Sequence, residues 1–241
     1  MREYKIETEK RVAFIRGLLN ESGARGVVYG NSGGKDSALV GILCKIACED
    51  TVGIIMPCGS KRNYNEDLSD AMAVAEQYGI SVRTVDLSET AETLKRALGS
   101  AAEITAAAAA NIAPRLRMTT LYAIAASEGR LVAGTGNRSE AYMGYFTKWG
   151  DGAYDFNPIA DLTVTEIYKF LEHLGAPRII LEKPPSAGLF DGQTDEKEMG
   201  ISYKCIDEYL LSGTCAPEDL EIITRYHVSS EHKRKPPAVF S

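Results

Sequence analysis

The stretch GVVYGNSGGKDSALVG, residues 26–41, decides the fold. It opens with a short apolar, β-rich run and passes through a glycine loop. It ends in the residues that start a helical pattern. Strand, glycine loop and helix in that order make a site for an anion. Glycines let backbone N–H groups converge, and the helix adds the positive end of its dipole. The familiar phosphate loop, G-x-x-x-x-G-K-[ST], does not fit here. Asp36 follows Gly34-Lys35 where Ser or Thr is required, and Tyr29 stands where the first glycine belongs. Asp36 also narrows the ligand. A carboxylate beside a phosphate repels it unless a cation lies between them, and Mg²⁺ takes carboxylate and phosphate oxygens together. The loop therefore points to a Mg-polyphosphate. Taken by itself, the stretch also fits a Gly-rich turn with a Ser/Asp helix cap.

Outward from the loop, helices are expected over 6–23, 35–49, 65–79, 88–99 and 102–129, the last bent or broken at Pro114. Strands are expected over 26–30, 51–57, 80–87 and 130–135. Strand and helix alternate without hairpin signals. That pattern predicts an α/β fold, a doubly wound parallel sheet with helices on both faces. A loop-rich C-terminal third is expected to follow, ending in the basic tail EHKRKPP. With 241 residues and no linker or repeat, the chain reads as a single domain, 1–241, with 230–241 as a mobile basic tail.

The net charge of −6 argues against a non-specific nucleic-acid binder. No apolar run approaches the ~20 residues needed to span a bilayer. The charged N-terminus lacks the apolar core of a signal peptide. The five cysteines, an odd number without a C-x-x-C pair, fit free thiols in a reducing cytoplasm.

The S-G-G-x-D-S pattern at Ser32, Gly33, Gly34, Asp36 and Ser37 resembles the pyrophosphate loop of the ATP pyrophosphatases, with their Rossmann-like, adenine-nucleotide-α-hydrolase-like fold. These enzymes cleave ATP between the α and β phosphates. A second block, GTGNRSEAYMGYFTKWGDGAYDFNPIADL at 134–162, is similar to the ammonia-dependent NAD synthetases. Three further stretches agree: NIAPRLRM at 111–118, EKPPSAGLFDGQTDE at 182–196 and EHKR at 231–234.

That resemblance implies a ligase of the last step of NAD biosynthesis, amidating deamido-NAD⁺ with ammonia through an adenylated intermediate. ATP is the co-substrate and Mg²⁺ the cofactor. It implies that Gly30, Asn31, Ser32, Gly33, Gly34, Lys35, Asp36, Ser37, Thr135 and Ser186 bind ATP. Asp36 and Glu140 would share the Mg²⁺. Arg115, Lys148, Asp155, His232 and Lys233 would hold deamido-NAD⁺, although HKRK also reads as a disordered tail. Asp151, in KWGDG, is the candidate to attract ammonium and take its proton; it also reads as a turn aspartate. The family is homodimeric. No amidase domain fits upstream of residue 26, so free ammonia is the expected nitrogen source.

One position departs from the pattern. Most members carry a phosphate-contacting lysine nine residues after the aspartate matching Asp155, and here Val164 stands there. Lys35, in the loop itself, is the candidate replacement. Other readings are a tRNA-thiolating enzyme, disfavoured by the acidic chain without C-x-x-C, and a non-catalytic ATP-binding module.

Overall fold

The computed structural model describes residues 2–59, 66–183 and 195–240. The first half runs α1 (Tyr4–Ser22), β1 (Gly26–Gly30), α2 (Lys35–Ala47), β2 (Thr51–Ile55), α3 (Glu66–Tyr78), β3 (Ser81–Thr84) and α4 (Ser88–Gly99). After these come α5 (Ala106–Ala110), α6 (Ile112–Glu128), β4 (Arg130–Ala133), α7 (Arg138–Met143) and α8 (Val164–Leu174). The remainder is α9 (Arg178–Leu181), α10 (Asp195–Met199), α11 (Tyr203–Ser212), α12 (Pro217–Ser229) and α13 (Glu231–Arg234).

All four strands are parallel, in the order β3-β2-β1-β4. Val27 pairs with Thr51 on one side and with Leu131 on the other. The chain thus builds outward from β1 to β3, then crosses back to lay β4 on the other flank of β1. The direction of winding reverses between β1 and β4, and their carboxyl ends open a crevice where such sheets bind ligands.

The period of two along β1 sends neighbouring residues to opposite faces. Val27 and Tyr29 join a core with Ile15 of α1, Leu39 and Leu43 of α2, and Phe170 and Leu171 of α8. Val28 joins Val52, Ile54, Val132 and Ala125, backed by Leu116 and Leu121 of α6. Helices therefore cover both faces, as the alternation predicts. Tyr29 is wedged between Gly41, where a Cβ would overlap its hydroxyl end, and Gly53, where one would crowd it. Its buried hydroxyl has no hydrogen-bond partner among the described residues.

Beyond β4, residues 155–156 lie along its outer side. Gly134 N donates to Phe156 O (2.8 Å), Asp155 N to Val132 O (3.0 Å), and Val132 N to the Asp155 carboxylate (2.7 Å).

Two sequence expectations are corrected. The long helix over 102–129 breaks at Asn111, not at Pro114. Pro114 is the third residue of α6, where the backbone N–H has no helical acceptor to lose. The C-terminal third is largely helical among its described residues, not loop-rich. Its helices carry their own start signals. Thr163 and Glu166 form a capping box for α8, Ser202 caps α11, and Pro217 is the first residue of α12. They pack with α7 in a third apolar cluster containing Met143, Val164, Tyr203 and Ile223.

Candidate active site

The crevice between β1 and β4 holds a cavity of about 580 Å³. Its floor is the glycine loop. Gly33 adopts φ +70°, and a Cβ there would collide with the Asp67 carbonyl, so the loop lies directly on α3. Gly34 is the N-cap of α2, and no side chain caps that helix. The Ser/Asp helix cap of the alternative reading is therefore not formed. Instead Ser32 Oγ accepts from Gly34 N (3.3 Å) and pairs with Ser37 Oγ (3.1 Å). The open first turn of α2 faces the cavity, which suits an anion.

Lys35 is buried, with its Nζ 2.7 Å from Asp36 Oδ2 and 5.7 Å from the Tyr203 ring centroid. Burial alone would lower its pKa, but Asp36 and Glu140 outweigh it and the net shift is upward. Glu140 is pushed well above the usual carboxylate range, first by burial and then by the charge of Asp36. The structure thus brings Asp36 and Glu140 to one cavity from the helices that follow the neighbouring strands β1 and β4. Asn137 lies between them. Its Nδ2 donates to Asp36 Oδ1 (3.1 Å), and its backbone N to Glu140 Oε2 (3.1 Å) as part of the capping box of α7. The donor set is hard carboxylate oxygen, which fits Mg²⁺. Among the described residues no three His, Cys, Asp or Glu side chains group around an ion. Two carboxylates leave the other coordination positions for phosphate and water.

Gly30, Asn31, Ser32, Gly34, Lys35, Asp36, Ser37, Thr135 and Glu140 all line the cavity. Gly33 sits behind it, against α3. Ser186 lies outside the described residues. Asp151 lines the far end. Its Oδ1 accepts from Thr147 N (2.9 Å), and desolvation by the surrounding protein raises its pKa.

The five residues expected to hold the dinucleotide are divided. Lys233 lines the cavity and donates to Gly144 O and Phe146 O, both at 2.7 Å. Arg115, Lys148 and His232 form a linked group outside it. Arg115 donates to Lys148 O (3.4 Å), and Lys148 Nζ to His232 O (2.8 Å). Asp155 stands apart on the flank of β4, its carboxylate also accepting from Tyr122 OH at 3.2 Å.

Sequence reading missed Arg117, which lines the cavity and donates to Met56 O (3.1 Å). Its signal was present. Asn111, Pro114, Arg117, Met118 and Leu121 all face the cavity, a helical stripe that excludes Arg115. Asn137 was missed too, although N-R-S-E is a capping-box pattern.

The family model for NAD synthase matches residues 7–237. An NH₃-dependent NAD⁺ synthetase of Carboxydothermus hydrogenoformans is 48% identical over 98% of this chain and 97% of its own. The structure of an NMN synthetase from Francisella tularensis superposes with a TM-score of 0.94, at 35% identity, over 99% of both chains. That of an NH₃-dependent NAD synthetase from Campylobacter jejuni gives 0.82 at 29% identity, over 100% of both. With the glycine loop, the paired carboxylates and these matches in agreement along the whole chain, the chain belongs to the NAD synthase family.

Proposed function

We propose that this chain is an ammonia-dependent ligase that completes NAD biosynthesis, and that the cavity between β1 and β4 carries both of its steps. One observation supports this most. An uncapped glycine-loop helix start, a carboxylate pair and a desolvated aspartate share one chamber. In the first step an oxygen of the nicotinate carboxylate attacks the α-phosphorus of ATP, and pyrophosphate leaves. The loop amides and Lys35 hold the departing phosphates. In the second step ammonia attacks the acyl carbon and AMP leaves, giving the amide. Asp151 attracts ammonium and accepts its proton. Mg²⁺, held by Asp36 and Glu140, would offset phosphate charge. No enzyme nucleophile is needed, so the cysteines take no part.

The test is AMP and pyrophosphate release that appears only when deamido-NAD⁺ is present, with NAD⁺ formed when ammonia is added. Release of AMP without an acceptor, or ADP in its place, would sink the reading. Asp36→Asn and Glu140→Gln are each expected to suppress adenylation far more than deamido-NAD⁺ binding. Near-normal adenylation at limiting Mg²⁺ in either variant would remove that residue from the metal site. The homodimer rests on the family resemblance and is tested by sedimentation of the full chain.

A second acceptor is favoured by a specific observation. The Francisella structure superposed above is an NMN synthetase, and NMN arises by the same amidation from nicotinate mononucleotide. Of the five residues assigned to the dinucleotide, only Lys233 lines the cavity. Nicotinate mononucleotide is therefore the second candidate. The ratio of kcat/KM for the two acceptors, measured on one preparation, decides between them.

A further inference from the structure

Lys183 follows α9, lines the cavity beside Asp67 and reaches the Gly33 carbonyl of the glycine loop. Its Nζ donates to Gly33 O (3.3 Å), to Asp67 Oδ1 (2.8 Å) and to Asp70 Oδ2. An ammonium has three N–H donors, and these acceptors take all three. The side chains of Lys183, Asp67 and Asp70 are 14%, 12% and 5% exposed, so water screens the group little. The carbonyl of Gly33 and the N–H of Gly34 belong to one planar trans peptide and point in opposite directions. An ammonium that pins the carbonyl against α3 therefore turns the Gly34 N–H the other way, toward Ser32 Oγ, which also lines the cavity. Gly33 lets the loop lie against the Asp67 carbonyl, and Lys183 fastens it there.

We propose that Lys183 is a positioning residue for the anion-binding loop. Anchored by Asp67 and Asp70, it fixes the Gly33–Gly34 peptide so that the Gly34 amide is presented to the phosphates of ATP. This rests on the reading that the loop binds ATP. The competing role for Lys183 is direct contact with phosphate. The two roles differ in sign at Asp70. If Asp70 anchors a positioning lysine, neutralising it loosens the loop and weakens ATP. If Asp70 competes with phosphate for a contacting lysine, neutralising it frees the lysine and strengthens ATP binding.

The test uses the full chain, with calorimetric titration of MgATP and steady-state kinetics on Asp70→Asn, Lys183→Met, Lys183→Arg, the Asp70→Asn/Lys183→Met pair and Gly33→Ala. Asp70→Asn is expected to weaken MgATP about tenfold, the range of a lost charged hydrogen bond. Lys183→Met should do at least as much, with the double variant no worse than Lys183→Met because both break one network. KM for ATP should rise in proportion while kcat at saturating ATP and KM for the acceptor hold, and Lys183→Arg should recover part of the loss. Unchanged or tighter MgATP binding in Asp70→Asn overturns the proposal. If that variant melts below the assay temperature, Asp67→Asn carries the same decision. Normal MgATP binding by Gly33→Ala would overturn the loop reading itself. A defective Gly33→Ala beside normal Lys183 and Asp70 variants would overturn only the role of Lys183.

Discussion

Replacing Lys35 with Gln asks whether the loop lysine has taken over from the one that Val164 displaced. At rest the ammonium is 6% exposed and bonded to Asp36, so it stays charged at any working pH. A charge-assisted hydrogen bond is worth about 1.5–3 kcal/mol, or roughly 10–150-fold in binding. Lys35 already has a carboxylate partner. Contact with phosphate exchanges or shares one anion for another, without desolvating a free charge. The low end therefore applies, and Lys35→Gln should raise the KM for ATP about tenfold. Val164 is 3% exposed and packs in the same cluster as Tyr203, the ring that Lys35 overlies. A lysine at 164 would start from the cluster that contains that ring. Val164→Lys should thus recover most of the loss in the Lys35→Gln background. Alone it adds a second cation at one spot and should lower the melting temperature. The assay is the KM for ATP at saturating acceptor and ammonia across the four-variant cycle, with melting curves as control. A KM for Lys35→Gln within about twofold of wild type would refute the substitution.

Asp151 has a raised pKa, so wild type should lose activity on acidification at a higher pH than an ordinary aspartate allows. Asp151→Asn should flatten that acidic limb and raise the KM for ammonium; an unchanged profile would remove Asp151 from proton transfer. The same shift has a stability sign. The native state holds that proton more tightly than the unfolded chain, so the contribution of Asp151 falls as pH rises from the unfolded value, near 3.8, through its raised native value. Unfolding free energies of wild type and Asp151→Asn should diverge in favour of the variant across that window. Tyr29→Phe removes a hydroxyl that has no hydrogen-bond partner among the described residues and should stabilise by about 1 kcal/mol, or roughly 2–4 °C in Tm for a chain of this size. A lower Tm would mean that the hydroxyl has an acceptor. Gly33→Ala forces a side chain into the Asp67 carbonyl at positive φ and should weaken ATP while leaving the far-UV spectrum native.

How much of this was legible depends on the range of each interaction. Residues 26–41 announced themselves because strand, loop and helix follow one another and each has a local signature. Asp36 and Glu140 were paired by the family resemblance, and the order of elements gave the pairing its physical reason, since a reversal of winding brings strand ends together. The break at Asn111 went to Pro114 because proline is the louder signal, although it is tolerated in a first turn. Arg115 came from motif alignment, whereas Arg117, which lines the cavity, carries only the signal of helical phase. The helices beyond residue 163 had readable caps in TVTE and at Pro217. Lys183 with Asp67 and Asp70 was invisible, because no local pattern links positions more than a hundred residues apart.

The segment along β4 has a meaning beyond the ligand set to which Asp155 was assigned. β4 ends the sheet, and an unpaired outer strand is a template on which another chain can add. Residues 155–156 occupy that template, and the Asp155 carboxylate takes the N–H of Val132 that an intruding strand would need. One carboxylate is thereby placed between recognition and solubility. Its loss should be seen first as poor yield and aggregation during folding, before any kinetic defect can be measured.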